Sequence, residues 1–369
     1  MYIGIRVDAS YEIGSGHVMR CVTLAKAFML KGAKVLFICR NLQGNMNFYI
    51  REQGLEVLEL PQASLQIYNN IDVNDSGIHC EILSTTQEQD ALQTCEIILN
   101  NISQVPIDLM IVDHYGLDGI WQKKIRCIAK KVMVIDDLAN RKHNCNFLLD
   151  QNYYVDIHKR YVGLVDKDSF LMLGPQYALL REEFFEQRNA VSIDDIENKR
   201  ILVFFGSSDP TNETYKVLSS IQSMNLNDLA IDVIVGKINI NKNDIKTMAD
   251  SMRNVNYYCQ ISNMNEVLSN ADVAVCASGS FTWERYCLGI PGIIISVADN
   301  QKQLARDLTT LEIDTYLGHS NEVTTHLITV AIEEIISNPT SILKARNKAY
   351  SIVDGNGVNR VIDVILRKL

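Results

Sequence analysis

The chain contains little proline, few aromatic residues and few charged residues. Of its 369 residues, 6 are proline, 7% are aromatic and 21% are charged, whereas 47% are hydrophobic. This composition excludes disordered and fibrous chains, which are poor in hydrophobic residues or rich in proline and glycine. At about 150 residues per domain, the length predicts two globular domains, each with its own hydrophobic core.

An excess of positive charge is also absent. The 35 Lys and Arg residues against 44 Asp and Glu residues give a formal net charge of −9. A negative chain does not attract nucleic acid or anionic lipid as a whole, so we expect neither as a partner, and a phosphate ligand must be bound locally. No segment approaches the roughly 18 apolar residues of a transmembrane helix, and residues 1–8 have a strand pattern without a signal-peptide pattern, so we expect a cytoplasmic protein.

The cysteines form no recognisable metal or disulfide pattern. Their number is odd, no two are spaced as CxxC, and several lie in apolar runs. We therefore expect buried free thiols, no metal site and no cofactor. The nine are Cys21, Cys39, Cys80, Cys95, Cys127, Cys145, Cys259, Cys276 and Cys287.

The first half of the chain alternates buried-strand and helical patterns. An apolar run at 2–7 is followed by a glycine loop, apolar residues at helical spacing between 18 and 29, and a second apolar run at 34–39. This is a βαβ unit, which builds parallel sheets. Further strands are predicted at 109–112, 131–135 and 147–149, and helices at 90–100 and 119–129.

The same pattern starts again near residue 200. Strands are predicted at 201–205, 230–235, 256–259, 273–276 and 292–296. We therefore predict an α/β protein with two Rossmann-like, doubly wound domains that face a central cleft, where such sheets bind ligands at their carboxyl ends. The predicted domains are 1–185 and 200–340, and a helical segment at 341–369 is expected to cross back to the first domain.

The loop after the first predicted strand carries the first candidate site. Gly14 and Gly16 let the backbone approach a ligand, and His17 stands at the helix start, where a neutral imidazole can take a proton from water. Arg20 lies on the same helix face and can meet an anionic ligand. Met19 occupies the third glycine position of GxGxxG, which disfavours dinucleotide binding. A structural histidine and a solvated arginine are the alternatives.

The loop at the start of the second domain carries another candidate site. Gly206 and Ser207 follow a strand and precede a helix, so their backbone N–H groups and the serine hydroxyl can bind phosphate oxygens. The alternative is a polar turn in which Asp209 or Thr211 caps the next helix.

A third candidate site follows the strand at 273–276. Ser278, Gly279, Ser280 and Thr282 open a helix whose N-terminus can bind a diphosphate. Glu284, about one turn further, can accept hydrogen bonds from both hydroxyls of a ribose. A glutamate near a helix start is also simply favourable to the helix dipole.

Polar side chains at other predicted strand ends suit a substituted sugar in the first domain and sugar or phosphate groups in the second. Asp113 and Tyr115 follow one strand and Asn152 follows another, whereas Asn300 and Gln301 follow a strand of the second domain. Turns and helix caps use the same residue types, which is the alternative interpretation.

These motifs, taken in order, resemble the PseG-type UDP-sugar hydrolases of pseudaminic acid biosynthesis along nearly the whole chain. The resemblance rests on residues 5–10, 14–21, 112–118, 135–139, 149–152, 173–184, 206–209, 278–284, 300–301 and 354–355. Two departures stand out, because Ser278 and Ser207 each replace a glycine of the family pattern.

The resemblance implies a GT-B-like fold and a reaction. The family hydrolyses UDP-2,4-diacetamido-2,4,6-trideoxy-β-L-altropyranose to UDP and the free sugar. We expect water to attack the face opposite UDP and so to invert the anomeric centre, and we expect no cofactor. The resemblance implies that His17 is the general base, that Asn152 contacts the substrate and that Glu284 binds the ribose. We expect a monomer. The alternatives are a GT-B glycosyltransferase with a UDP-sugar donor, a hydrolase of a related UDP-diacetamido sugar, and a nucleotide-sugar-binding module without catalysis.

Overall fold

A computed structural model describes residues 1–62, 83–190, 200–224 and 229–369. The chain forms two compact units. The N-terminal unit comprises Met1–Asn152, Asp156–Leu179 and Gly357–Leu369, and the C-terminal unit comprises Tyr153–Val155 and Leu180–Asn356.

The N-terminal unit is built on a seven-stranded, wholly parallel sheet in the order β3-β2-β1-β4-β5-β6-β7. Its strands are β1 (Tyr2–Val7), β2 (Lys34–Arg40), β3 (Glu56–Leu60), β4 (Ile107–Asp113), β5 (Ala129–Ile135), β6 (Phe147–Asp150) and β7 (Phe170–Leu173). The five predicted strands are present. The order reverses direction between β1 and β4, which makes this the topological switch point of the sheet.

Helices cover both faces of this sheet. They are α1 (Gly16–Leu30), α2 (Asn47–Glu52), α3 (Gln87–Asn101), α4 (Gly119–Ile125) and the C-terminal α13 (Gly357–Lys368). The predicted helix at 119–129 is too long, because residue 129 already begins β5. On one face of the sheet, alternate residues of β1 and β4 form a core with α1 and α13. On the other face, the intervening residues of β4 form a core with α3 and α4. Burial on both faces explains the continuous apolar runs of the central strands.

The C-terminal unit is built on a six-stranded parallel sheet in the order β10-β9-β8-β11-β12-β13. Its strands are β8 (Arg200–Phe204), β9 (Ala230–Val235), β10 (Val255–Cys259), β11 (Val273–Cys276), β12 (Gly292–Ser296) and β13 (Thr315–His319). Its helices are α5 (Glu182–Ala190), α6 (Glu213–Ser223), α7 (Lys242–Asp250), α8 (Met264–Ser269), α9 (Ser280–Cys287), α10 (Asp299–Thr309), α11 (Thr325–Ile336) and α12 (Pro339–Ile352). The switch point lies between β8 and β11. The predicted pair of doubly wound α/β sheets is confirmed.

Helix α13 completes the core of the N-terminal unit. It buries Val358, Val361, Ile362 and Ile365 in that core. At its first residue, a Cβ on Gly357 would lie 2.2 Å from the backbone oxygen and 2.6 Å from the backbone nitrogen of Ala178. Only a residue without a side chain allows this approach of two backbones.

We therefore expect Gly357→Ala to lower the free energy of unfolding by about 2–4 kcal/mol, because the clash is with backbone and must displace the helix. Urea unfolding measures the change. Leu366→Ala, at a half-exposed position of the same helix, is the matched control and should change it by less than about 0.5 kcal/mol. Equal stability of Gly357→Ala and the wild type would contradict the role of this contact.

The expectation that all cysteines are buried is wrong. The eight described cysteines are free thiols, but Cys127 and Cys259 are exposed and Cys95 is partly exposed. Cys127 lies in a surface turn, Cys259 in the edge strand β10 and Cys95 in helix α3. Cys80 lies outside the described residues. Within the described ranges, no group of three or more His, Cys, Asp or Glu side chains could hold a metal ion. No helix in the same ranges has the length and apolarity needed to cross a membrane.

Candidate functional site

The switch point of the N-terminal sheet brings two predicted site residues together. Strands β1 and β4 are neighbours with Val7 aligned to Asp113, the last residue of β4. The loop after β1 leads directly into α1, where His17 is the second residue. Parallel strands end at the same edge of a sheet, so this topology places His17 beside Asp113 although 96 residues separate them.

His17 and Asp113 form a hydrogen-bonded pair, called the dyad below. The distance between His17 Nδ1 and Asp113 Oδ1 is 2.6 Å. Burial would raise the pKa of Asp113, but the charges and hydrogen bonds of Arg20 and His17 hold it well below its usual range. Arg20 Nη2 also lies 3.1 Å from His17 Nδ1, but Asp113 Oδ1 is closer and an ionised carboxylate only accepts hydrogen bonds. We therefore assign the ring proton to Nδ1, which leaves the lone pair of the neutral imidazole on Nε2. The dyad therefore prepares Nε2 to accept a proton.

Arg20 neutralises the dyad carboxylate. Its Nε and Nη2 atoms donate to the two oxygens of Asp113, each at 2.6 Å, and Nη1 donates to Asp137 at 3.3 Å. Burial would lower the pKa of Arg20, but Asp113 and Asp137 raise it well above its ordinary value. The side chain is 8% exposed, so the alternative of a solvated arginine is wrong. Because protein carboxylates take up its donors, the geometry favours a positioning role over contact with an anionic ligand.

Tyr115 and Asp137 complete the surroundings of the imidazole. The Tyr115 hydroxyl donates to Asp137 Oδ1 at 2.7 Å. Its ring meets the His17 ring edge to face, with centroids 4.7 Å apart and planes at 87°. This contact limits rotation of the imidazole, so the orientation of Nε2 is held by the ring as well as by Asp113.

The loop before the dyad has the conformation that its glycines permit. Gly14 has φ of +79°, which favours glycine, and its N–H donates to Ser10 O at 2.9 Å. Gly16 begins α1, and the first turn of α1 contains no acidic side chain. The positive end of the helix is therefore not neutralised within its own first turn.

Asn152 lies beyond the end of β6 in the same unit. It is 7% exposed, and its backbone N–H donates to Asp150 Oδ1 at 3.0 Å. Asp150 is fully buried, and burial together with the charge of Asp137 raises the pKa of its carboxyl to about 7. The Tyr161 hydroxyl, 3.0 Å from Asp150 Oδ2, holds this carboxyl in place.

In the C-terminal unit, Gly206 and Ser207 lie at the carboxyl end of β8, on one side of the switch point. Gly206 has φ of +87°. A Cβ on Gly236 would lie 2.2 Å from Ser207 O, so Gly236 allows the loop to pack directly on the end of β9. Asp209 accepts the N–H groups of Glu213 and Thr214, each at 2.9 Å. The Asp209 carboxylate thus caps the first turn of α6, as in the alternative interpretation, although the N-cap residue itself is Asn212. The adjoining Gly206 and Ser207 lie at the edge of the sheet.

The turn at the start of α9 lies on the other side of the same switch point, at the end of β11. Ser278 is buried, and its hydroxyl donates to Gln301 O at 3.1 Å. The buried Thr282 hydroxyl accepts the Gly279 N–H at 3.4 Å. A Cβ on Gly279 would meet no atom within 4 Å, and Ser280 is exposed. The turn thus presents open space next to a helix N-terminus.

Glu284 faces a charged neighbour that sequence reasoning did not single out. Arg181 Nη2 lies 3.6 Å from Glu284 Oε1, and Arg181 Nη1 lies 2.7 Å from Glu183 Oε1. Burial raises the pKa of Glu284 to about 7, against the opposing charge of Arg181. The side chain is 22% exposed, so its carboxyl is reachable by a ligand. Arg181 lies in the 173–184 motif, next to two glutamates, but nothing in that pattern indicates which carboxylate it contacts.

Asn300 and Gln301 have different surroundings although they are adjacent. Asn300 is exposed. Gln301 accepts the Val297 N–H at 3.0 Å through its side-chain oxygen, and its backbone oxygen accepts from Ser278. Gln301 therefore ties the loop after β12 to the α9 turn.

Comparison with known proteins identifies the C-terminal part of the chain. Residues 200–363 match the Glycosyltransferase family 28 C-terminal domain. Over its whole length the chain is similar in structure to MurG of Acinetobacter baumannii, with a TM-score of 0.67, 13% identity and coverage of 99% of both chains. The predicted GT-B-like fold class is thereby confirmed.

Three relatives match in sequence. The chain is 22% identical to the spore coat polysaccharide biosynthesis protein SpsG of Bacillus subtilis, covering 99% of this chain and 98% of that one. It is 24% identical to the UDP-2,4-diacetamido-2,4,6-trideoxy-β-L-altropyranose hydrolase of Campylobacter jejuni, covering 83% and 95%. It is 25% identical to the uncharacterized protein MJ1062 of Methanocaldococcus jannaschii, where the match covers 87% of this chain but only 61% of that protein. The chain therefore has a GT-B-like fold, and residues 200–363 are similar to the C-terminal domain of a glycosyltransferase family.

Proposed function

We propose that this protein hydrolyses UDP-2,4-diacetamido-2,4,6-trideoxy-β-L-altropyranose to UDP and free 2,4-diacetamido-2,4,6-trideoxy-L-altrose. The dyad is the observation that carries the proposal, because a histidine with its Nε2 lone pair available can activate water. The relative from Campylobacter jejuni that bears this activity in its name supports the choice of substrate.

In this mechanism His17 acts on the water and not on the sugar. Nε2 takes a proton as the water oxygen bonds to the anomeric carbon. The bond between that carbon and the diphosphate oxygen breaks, and its electron pair leaves with UDP. Attack on the face opposite UDP inverts the anomeric centre. Asp113 stabilises the imidazolium that forms, and Arg20 keeps Asp113 ionised.

The C-terminal unit binds the nucleotide in this proposal. The diphosphate is stabilised by the N–H groups at the start of α9, where Gly279 leaves open space. Glu284 accepts the two ribose hydroxyls. Gly206 and Ser207 lie at the same switch point and add N–H donors, while Asn152 of the N-terminal unit contacts the sugar. The enzyme requires no acceptor other than water.

Incubation of the enzyme with the UDP-sugar alone, in water labelled with heavy oxygen, tests the reaction. Hydrolysis predicts free sugar and UDP by NMR, with the label in the sugar and none in UDP, and a first-formed anomer of inverted configuration. A UDP-sugar that stays intact until an acceptor is added would overturn hydrolysis. The second candidate, a glycosyltransferase, is favoured by the family 28 match, and it predicts that UDP release depends on a saccharide or lipid acceptor.

We expect Glu284→Ala to weaken UDP binding by about 1–3 kcal/mol, because two hydrogen bonds to a charged acceptor are lost. Isothermal titration calorimetry measures the change. Glu266→Ala, at an exposed position of α8 where the carboxylate accepts Asn263 Nδ2 at 2.8 Å, is the control and should bind UDP normally. Unchanged UDP affinity of Glu284→Ala would remove Glu284 from the nucleotide site.

The raised pKa of Glu284, about 7, predicts a pH dependence of UDP binding. The carboxylate accepts both hydroxyls only when ionised, so affinity falls as pH falls through 7, by about tenfold from pH 8 to pH 6 for this group alone. Arg181→Gln removes the charge that favours ionisation and should move the decline to higher pH. The phosphate of UDP also titrates and adds its own pH dependence. The Glu284→Gln variant retains only this phosphate contribution, so subtracting its pH profile isolates the contribution of Glu284. Identical pH profiles for the wild type and Glu284→Gln would contradict the prediction.

A further inference from the structure

Two thiols of the N-terminal unit lie in contact, far from the groups discussed so far. Cys95 Sγ in α3 lies 3.7 Å from Cys127 Sγ, in the turn between α4 and β5. Cys127 is exposed and Cys95 is partly exposed. The turn precedes β5, so the pair lies at the amino end of this sheet, whereas the dyad lies at the carboxyl ends of β1 and β4.

The surroundings of the two sulfurs differ in a way that assigns them different roles. Burial and the neighbouring Cys127 raise the pKa of the Cys95 thiol to about 12. Cys127 donates to Lys124 O at 3.1 Å on the protein surface. Lys123 and Lys124 are exposed basic residues of the same segment, and their charges attract small anionic disulfides such as oxidised glutathione. Cys127 is thus the thiol that an oxidant meets first, and Cys95 is the thiol behind it.

From this geometry we propose that Cys95 and Cys127 form a reversible dithiol–disulfide site that reacts with low-molecular-weight disulfides. Cys127 loses its proton to solvent, and its thiolate attacks one sulfur of the small disulfide. The small disulfide's S–S bond breaks, a mixed disulfide forms, and the leaving small thiolate takes up a proton from solvent. Cys95 then loses its proton to solvent and attacks Cys127 Sγ, which breaks the mixed disulfide, forms the protein disulfide and releases a second small thiolate that is protonated in turn. Two protein thiols are oxidised and one small disulfide is reduced to two thiols. The reverse exchange with a dithiol reductant restores both cysteines.

Contact between the sulfurs makes the second step intramolecular. They must approach from 3.7 Å to the roughly 2 Å of a covalent bond. Cys127 lies in the turn between α4 and β5 and not in a helix or strand. Rotation of its side chain and a small shift of the turn can therefore close this gap. The bond links residues 32 positions apart, which restricts the unfolded chain, so the oxidised form should melt at a temperature higher by about 5 °C.

Mass spectrometry after exposure to oxidised glutathione tests the proposal. Cys259, which is exposed, and Cys80 are first replaced by Ser in every variant, so that background adducts do not obscure the pair. In this background the protein should lose about 2 Da, with the 95 and 127 peptides linked. Cys95→Ser should instead retain a glutathione adduct of about 305 Da on Cys127, and Cys127→Ser should remain essentially unmodified.

These signatures separate the assigned roles from ordinary surface oxidation. The proposal would be overturned if the protein that retains both Cys95 and Cys127 kept the glutathione adduct on Cys127, as Cys95→Ser does. Cys95 would then not displace glutathione from Cys127. Equal adduct formation on Cys95 and Cys127 in the two single variants would overturn the order of attack. Circular dichroism of each variant confirms that it is folded before it is compared.

Discussion

Replacement of His17 by alanine is expected to lower kcat by roughly two to four orders of magnitude, the usual range for removal of a positioned general base. UDP affinity should be unchanged, because the proposed nucleotide contacts belong to the C-terminal unit. The acidic limb of kcat at saturating substrate should also disappear, since a protonated imidazole cannot accept a proton from water. Steady-state kinetics over pH and UDP calorimetry measure these effects.

His158→Ala is the matched control, because His158 is an exposed histidine of the same unit and its loss should leave kcat unchanged. The two possible failures of the His17 variant have different meanings. Near-normal turnover would show that another group activates water, and Asp113 or Asp137 would be examined next. Loss of UDP binding would show that His17 acts in binding or in folding and not in the chemical step.

Replacement of Asp113 by asparagine is expected to lower kcat by roughly two to four orders of magnitude as well. An amide no longer requires a proton on Nδ1, so the tautomer with the Nε2 lone pair is lost and the imidazolium is no longer stabilised. The buried Arg20 also loses its main counter-ion, so the free energy of unfolding should fall by about 3–5 kcal/mol. Kinetics and urea unfolding measure the two effects separately.

Asp137→Asn supplies the comparison for Asp113, because Asp137 also pairs with Arg20, but at 3.3 Å, and accepts the Tyr115 hydroxyl at 2.7 Å. Asp137→Asn should therefore lower kcat and the free energy of unfolding by less than Asp113→Asn does. If Asp113→Asn retained wild-type turnover while losing stability, Asp113 would be a structural partner of Arg20 and the dyad would have no part in proton transfer.

Strand positions in the centre of each sheet were predictable from sequence. Central parallel strands are covered on both faces, so they are nearly continuous apolar runs, as at β4 and β11. The strands that were missed include the edge strands β3, β7 and β13. Few of their side chains are buried: two of five in β3, one of four in β7 and none of five in β13. Burial therefore does not require a run of core residues in these strands, and β3 and β13 mix apolar residues with charged, polar or glycine residues.

The loops that contain the candidate site residues were also predictable, because a glycine or small residue between a strand and a helix is a local signal. The Asp209 cap and the helix start at Ser280 depend on residues within a few positions of each other. Such features need no information from distant parts of the chain.

The partners of the site residues were decided by the tertiary structure. His17 and Asp113 are 96 residues apart, and they meet only because β1 and β4 are adjacent at the switch point. The sequence by itself determined that an imidazole stands at a helix start and that a carboxylate ends a strand. The order of the strands decides which carboxylate faces the imidazole, because it determines which carboxyl ends are neighbours. It also decides that Arg20 binds this carboxylate instead of a ligand. Local sequence does not encode strand order.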